Sequence, residues 1–456
     1  MSKEILDALT EIVGRKGILL GEEVSARPNF SLNEGTCEAL AILRPASTDE
    51  LSRVLKVCHA HKQAVVPLGG LSGLVNGITC KPGDIGLSTE RMKEIEGLDA
   101  DAGVITVQAG AVLQTVQEYT EKQGWLFALD LGARGSATIG GAISTNAGGN
   151  SVVRYGMMRQ QVLGLEVVMA DGTIITSMNE MLKNNAAYDL KQLFIGSEGT
   201  LGIVSRAVLR LVPLPSAVQT AFVAVNDFPA LTTLLKHLGV ALEGKLSAFE
   251  VMWQNHYTLL VDELAKHQAF LPSRFPYYIL IESSGADKAS GEDYFTSVLA
   301  ELMEKDIIAD AVISQSGQQT KQIWAMRDDI DSLVNTMFPA IIFDISLPLR
   351  HMEEYVEAVN CALAKACPET RIVTFGHLGD GNIHFATGPV RDKEAVERSI
   401  YEPLERFSGC ISAEHGIGLD KKPYLHISRS DEEIALMRTL KKALDPKNIL
   451  NPGKIF

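Results

Sequence analysis

Residues 131–150 read LGARGSATIGGAISTNAGGN, and a second glycine-rich run, PLGGLSGLVNG, occupies residues 67–77. Backbone can approach a ligand closely only where side chains are absent, and successive N–H groups in such turns form anion-binding nests. Ser72, Ser136, Thr138 and Ser144 add hydroxyl donors to the two runs. Neither run has the GxGxxG spacing that opens a dinucleotide-binding helix, and neither ends in the GK[ST] of a triphosphate loop. One such loop would serve equally well as tight turns in a sheet. Two of them, followed by IGSEGTLGIV at 195–204, point to a phosphate-bearing ligand bound by a different kind of domain.

Outward from these loops, residues 37–213 show short apolar strands broken by glycine clusters. Ser47 to Lys62 is an exception, a helix with Ser47 and Glu50 as a capping pair and Leu51, Val54, Leu55 and Cys58 on one face. Strands are expected at 64–67, 104–107 and 165–169, the last turning at Asp171-Gly172 into 173–175 as a hairpin. The stretch Val212-Pro213-Leu214-Pro215 marks a boundary. Beyond it strands (218–225, 246–252, 277–282, 341–347, 371–376) alternate with helices (229–242, 292–304, 351–366, 431–444). That rhythm predicts an α+β fold whose sheet is covered by helices. The expected division is 1–213, 214–425 and a closing segment 426–456.

The chain has 456 residues, too many for one small core. Its 46% hydrophobic and 21% charged content describes an ordinary globular protein. A net charge of -14 argues against a nucleic-acid binder, which needs a basic face. The six cysteines form no CxxC pair and read as reduced thiols in a reducing compartment. The start, MSKEILDALTEIVGRKG, has no signal-peptide or transit pattern, and no apolar run is long enough for a membrane span. A cytoplasmic location is the expectation.

His377 and His384 bracket the turn Leu378-Gly379-Asp380-Gly381-Asn382, and Glu414-His415 follows later in the chain. Seven residues along one extended strand would separate the two histidines, so the glycines must fold the segment back for them to converge. Two imidazoles and a carboxylate, His377, His384 and Glu414, make a three-ligand set with an open position, leaving His415 to move a proton. Zn²⁺ suits these donors best, and Mn²⁺, Fe²⁺ and Co²⁺ accept the same ligand types. A zinc hydrolase with purely structural glycine loops is one alternative use of such a site.

PLGGLSGL, GSATIGGAISTNAGG followed by Tyr155-Gly156, and GSEGTLGI resemble the FAD-binding domain of the vanillyl-alcohol oxidase and p-cresol methylhydroxylase (PCMH) superfamily. GHLGDGNIH, EHGIG and the terminal LNPGK resemble its D-lactate and D-2-hydroxyglutarate dehydrogenase branch, in the family's order from about residue 37 to 456. The resemblance implies a PCMH-type FAD domain of two α+β subdomains, a substrate domain with an antiparallel sheet, and a C-terminal return to the flavin. It places FAD against Pro67, Gly69, Gly70, Leu71, Ser72, Gly73 and Leu74, and against Gly135, Ser136, Thr138, Gly140 and Gly141. Asn146, Gly148, Gly149, Glu198, Gly199 and Ile203 would also line the cofactor, with Asn451 near the isoalloxazine. The implied reaction is oxidation of a D-2-hydroxy acid to the 2-oxo acid. Its metal ion would polarise the 2-hydroxyl, His415 would take the hydroxyl proton, and hydride would pass to the flavin. An accessory electron-transfer subunit that only binds FAD is the alternative of another class.

Arg327, in IWAMRDDI, stands where the family places an arginine that holds the substrate carboxylate, a task suited to a guanidinium fork. Pairing with Asp331 on an exposed helix face is the structural alternative. Three departures from the family pattern carry information. Leu71 replaces the histidine that bonds flavin covalently in some members, so FAD is expected to be non-covalent. Ile342 and Ala386 replace a lysine and an asparagine of the 2-hydroxyglutarate type, which leaves an apolar wall. That wall favours D-lactate or a larger monocarboxylate over D-2-hydroxyglutarate, and a D-2-hydroxyglutarate or glycolate dehydrogenase is the alternative. Electron-transfer flavoprotein or a quinone is the expected reoxidant, and a homodimer the default assembly.

Overall fold

The structure is a computed structural model that describes residues 2–286 and 288–456. The chain divides into two compact units. The first holds the residues up to Gly148, Gly156–Leu214 and Glu414–Phe456; the second holds Gly149–Tyr155 and Pro215–Ala413.

Two sheets organise the first unit. One consists of β1 (Ile18–Leu19), β2 (Ala41–Leu43), β3 (Val65–Leu68) and β4 (Ile85–Ser88), in the order β1-β2-β4-β3. β4 pairs in parallel with both β2 and β3, which requires a crossover. Helix α1 (Thr48–His61) carries the chain from β2 to β3, and residues 69–84, which hold no helix, carry it from β3 to β4. Ser47 Oγ caps α1 by accepting from Glu50 N, while Glu50 Oε2 accepts from Ala46 N. Leu51, Val54, Leu55 and Cys58 are fully buried against the sheet, on the face that their helical spacing predicts. The other sheet is antiparallel: β5 (Ile95–Asp99), β6 (Val104–Gln108), β7 (Val162–Val168), β8 (Ile174–Ser177) and β9 (Ile203–Arg210), ordered β5-β6-β9-β7-β8. The expected hairpin is β7–β8. Packed on this core is α2 (Ile139–Thr145), formed by the middle of the long glycine segment.

The C-terminal stretch closes the first unit. Asn451 N donates to Val65 O and Val65 N to Ile449 O, so the tail runs beside β3. At the root of that tail, Lys441 Nζ donates to Asp445 Oδ2 (2.6 Å), Leu450 O (2.7 Å) and Thr200 O (2.8 Å). Asp445 in turn accepts from Ile449 N and Leu450 N. Burial pulls the Lys441 ammonium below its ordinary range, and the Asp445 carboxylate works against that shift.

The second unit is built on a seven-stranded antiparallel sheet. Its strands are β10 (Ala217–Val225), β11 (Leu246–Trp253), β12 (Tyr277–Gly285), β13 (Asp310–Ile313), β14 (Ile341–Ser346), β15 (Arg371–His377) and β16 (Asn382–Gly388), ordered β13-β10-β12-β11-β15-β16-β14. Successive side chains alternate between faces. One face, with Met252, Val373, Phe375 and Ala386, is packed by α3 (Gly317–Arg327) and α4 (Ile330–Thr336) through Ile323, Met326 and Leu333. The opposite face meets α5 (Met352–Ala366), where Tyr355 lies 6.0 Å from Phe385 between ring centroids.

Removing the ammonium from the pair that holds the tail should be costly, because Asp445 would stay buried without its cation. Lys441→Ala is expected to lower the stability of the first unit by about 3 kcal/mol, read as a lower urea midpoint with release of bound flavin at lower denaturant. An unchanged midpoint would mean that the tail is held by its apolar contacts alone.

Candidate active site

In the first unit the fold brings the glycine segments together. A methyl group on Gly70 would come within 1.9 Å of the Ser136 carbonyl oxygen and 2.9 Å of Ala137 Cα, so only glycine allows the 67–74 loop to lie on the 136–138 loop. Gly69 lies over Thr138, whose hydroxyl caps α2 by accepting from Gly141 N at 3.3 Å. Gly199 abuts the Pro67 ring, and Glu198 N donates to Ser144 O at 2.8 Å. Beside these crowded glycines, a Cβ on Gly73 would meet no heavy atom within 4 Å, and one on Gly135 would meet only Gln114 Oε1.

Asn146 ends α2 in a left-handed turn and accepts from Arg159 N at 2.9 Å. Gly148 ends the first unit's opening stretch, and Gly149, Ser72 and Leu74 also lie on these loops. Gly140 packs against Ala109. The Ile203 side chain lies in the apolar core with Val168 and Leu450, so it faces packing and not the loop surface. Asn451 Nδ2 donates to Glu198 O at 2.8 Å, while its buried Oδ1 finds no donor among the described residues. A cradle of backbone N–H groups with open space at Gly73 and a buried acceptor at Asn451 fits a phosphate-bearing cofactor with ring N–H groups.

In the second unit His377 ends β15 and His384 stands on β16, with a one-turn helix over Leu378–Asp380 and Gly381 in left-handed backbone between them. Register places Glu250 opposite His377, Phe375 opposite both Met252 and His384, and Asp344 opposite His384. All therefore share one sheet face. The two imidazole rings lie 5.3 Å apart at 85°. Both are buried, at 6% exposure each.

The residue that organises this face is Glu250. Its Oε1 bonds His377 Nδ1 at 2.7 Å, and its Oε2 accepts from Arg327 Nε at 2.8 Å. Burial pushes the Glu250 carboxyl up, but the charges and hydrogen bonds of His377 and Arg327 outweigh it and hold the group below the ordinary carboxylate range. A carboxylate at Nδ1 orients the ring, and in the neutral imidazole it favours the proton on Nδ1 with the lone pair on Nε2. Arg327 is 4% exposed and lies over the Phe375 ring at 5.2 Å, so it is a buried arginine anchored by Glu250 and is not on an exposed helix face with Asp331. Near His384, Asp344 is fully buried and accepts from Asn382 Nδ2 at 2.7 Å. Glu250 and Asp344 were not singled out from the sequence. The signal was a lone acid inside the buried strand LSAFEVMW, because a charge there must have a partner.

Ile342 pairs with Ala386 across β14–β16, and Ala386 pairs with Val373 across β15–β16. The two departures from the family pattern thus stand side by side, two positions along the strand from His384. Glu414 and His415 belong to the first unit, in the loop EHGIG that opens its last stretch.

A glycine cradle of this form in an α+β unit, followed by an antiparallel-sheet unit with buried ionisable groups, defines a flavoprotein oxidoreductase of the PCMH type. Comparisons agree with that class. Residues 39–177 match the FAD binding domain family, and residues 214–455 match the C-terminal domain of FAD linked oxidases. The chain belongs to the FAD-linked oxidases and binds FAD. It is 38% identical over 452 residues to a probable mitochondrial D-2-hydroxyglutarate dehydrogenase of Oryza sativa subsp. japonica, covering 98% of this chain and 80% of that one. A D-2-hydroxyglutarate dehydrogenase of Xanthomonas citri pv. viticola is 38% identical over 432 residues (92% and 90% of the two chains). A putative mitochondrial D-lactate dehydrogenase of Schizosaccharomyces pombe is 35% identical over 475 residues (100% and 90%). Among solved structures, p-cresol methylhydroxylase with substrate bound superposes with a TM-score of 0.78 at 13% identity, covering 99% of this chain and 96% of that one. No helix among the described residues is long and apolar enough to cross a membrane.

Two Glu250 variants separate charge from shape. Glu250→Ala leaves Arg327 buried without its carboxylate and should cost about 3–5 kcal/mol in urea unfolding. Glu250→Gln should cost less while still lowering turnover. Equal midpoints for the two would show that the negative charge at 250 is not what Arg327 requires.

Proposed function

We propose that this enzyme oxidises a D-2-hydroxy acid to the 2-oxo acid, with FAD held by the glycine loops of the first unit and the acid bound on the sheet face of the second. The observation that carries the reading is the gathering of Arg327, His377 and His384 on one buried sheet face in a member of this family. FAD is non-covalent, since Leu71 offers no nucleophile, and when bound it supplies a two-electron acceptor. His377, His384 and Glu414 would hold a divalent ion, Zn²⁺ first and Mn²⁺, Fe²⁺ or Co²⁺ by the same donors, which supplies Lewis-acid polarisation of a hydroxyl oxygen.

The chain's own groups do the rest. Arg327, fixed through Nε by Glu250, presents a preorganised guanidinium to the substrate carboxylate. His415 takes the hydroxyl proton as the C2 hydrogen departs with its electron pair. Ile342, Val373 and Ala386 form an apolar wall suited to the side chain of D-lactate or a larger monocarboxylate. A distal carboxylate would meet no cation from positions 342 and 386. The names of several relatives favour D-2-hydroxyglutarate as the second reading. Electron-transfer flavoprotein or a quinone would reoxidise the flavin. A reducing, cytoplasmic setting is supported by six free cysteines.

Anaerobic bleaching of the flavin on separate addition of D-lactate, D-mandelate and D-2-hydroxyglutarate, with L-isomers as controls, tests this reading. A D-monocarboxylate should bleach fastest, with loss of the effect on chelation and recovery with Zn²⁺. His384→Ala should keep FAD and lose metal, and His415→Ala should keep both while reduction slows by about 10²–10⁴-fold. Bleaching only by the dicarboxylate would overturn the substrate assignment.

The wall is testable by reversal. Ile342→Lys combined with Ala386→Asn should move the kcat/KM ratio toward D-2-hydroxyglutarate over D-lactate by about 10-fold or more. A ratio that does not move would place the wall away from the substrate.

A further inference from the structure

The loop Glu414–Gly418 carries the proposed acid and imidazole, and a side chain from a distant part of the first unit grips its backbone. Glu198 Oε1 accepts from Ile417 N at 2.7 Å, and Oε2 accepts from Gly418 N at 2.9 Å. One carboxyl group spread over two consecutive N–H groups makes two hydrogen bonds and fixes the direction of the chain between them. The loop is shaped for this grip. Gly416 (φ 84°) and Gly418 (φ 52°) are left-handed. A methyl on Gly416 would come within 2.9 Å of Glu198 Oε1, and one on Gly418 within 2.0 Å of the Val75 carbonyl oxygen.

The same loop is fastened to the glycine segment at 67–77. Leu419 N donates to Val75 O at 2.9 Å, and Asn76 Nδ2 donates to the two Asp420 oxygens at 3.0 and 2.8 Å. Glu198 is itself held on both sides: its N–H donates to Ser144 O, and its carbonyl accepts from Asn451 Nδ2, both at 2.8 Å. Its backbone is left-handed, with φ 50°, an uncommon conformation for a residue other than glycine and one that fixes where the carboxylate points. Segments that form the cofactor cradle therefore converge on the loop bearing His415.

We propose that Glu198 is a positioning residue for His415: by clamping Ile417 N and Gly418 N it holds the imidazole at the place where it takes the substrate's hydroxyl proton. This rests on His415 being the base. Glu198 acts through the loop, so its loss should alter the chemical step more than the binding of the acid.

The test is anaerobic stopped-flow reduction of the FAD-loaded full chain, normalised to bound flavin, with whichever of D-lactate, D-mandelate and D-2-hydroxyglutarate bleaches it fastest. Glu198→Ala should lower the limiting reduction rate by about 10- to 100-fold, the scale of an ångström-level misplacement, while half-saturation by the acid moves by less than about 2-fold. Glu198→Gln, which keeps one acceptor oxygen, should recover part of the rate. The double variant Glu198→Ala/His415→Ala should be no slower than His415→Ala alone, as expected for residues acting as one unit. A full rate in Glu198→Ala beside a slow His415→Ala would overturn the clamp and leave the base reading intact, as would losses that multiply in the double variant. A full rate in His415→Ala would overturn the base reading itself. If Glu198→Ala does not retain FAD, Glu198→Gln decides, and a wild-type rate there overturns the proposal.

Discussion

A carboxylate removed from water must find positive or N–H partners, and on the sheet of the second unit that requirement fixes the arrangement around Glu250. The strand that carries it is buried along nearly its whole length, so hydration is not available to the charge. His377 from β15 and Arg327 from the end of α3 supply the partners, and each is oriented in the act. The ring of His377 is oriented by its Nδ1 bond, and the guanidinium is held over the Phe375 ring. One buried acid thus converts two flexible side chains into fixed groups on the face where His384 also stands.

The first unit applies the same physics to backbone. Glu198 satisfies two consecutive N–H groups of a tight loop, and Asp445 with Lys441 does so for the turn before the C-terminal tail. These loops have little apolar surface to anchor them, because glycine and small residues are what let a cofactor approach. Charged side chains buried beneath them provide the rigidity that packing provides elsewhere. The cradle and the EHGIG loop are therefore joined through shared partners, Val75, Asn76, Glu198 and Asn451.

The two units carry different groups of buried polar residues. The glycine cradle lies in the unit that carries the match to the FAD binding domain family, whereas the buried ionisable cluster of Glu250, Arg327, His377 and His384 lies in the second unit. In the second unit Arg327, from the end of α3, meets the two histidines at one end of a buried sheet face, and Ile342, Val373 and Ala386 stand two positions further on.

By itself the sequence determined the elements and much of the candidate site. Apolar runs at 218–225, 246–252 and 371–376 and the capped helix after Ser47 are local signals, set by residue type, caps and turn residues. Glycine runs announced the cradle because only glycine tolerates that approach, and Gly379-Asp380-Gly381 announced that His377 and His384 fold back toward each other. Tertiary structure decided the rest. Strand order β13-β10-β12-β11-β15-β16-β14 was one such outcome, and the pairing of Glu250 with Arg327 and His377 and the grip of Glu198 on Ile417 and Gly418 join residues 77 to 220 positions apart. No local periodicity encodes such contacts; they exist because buried charges must be neutralised by whatever the finished fold brings within reach.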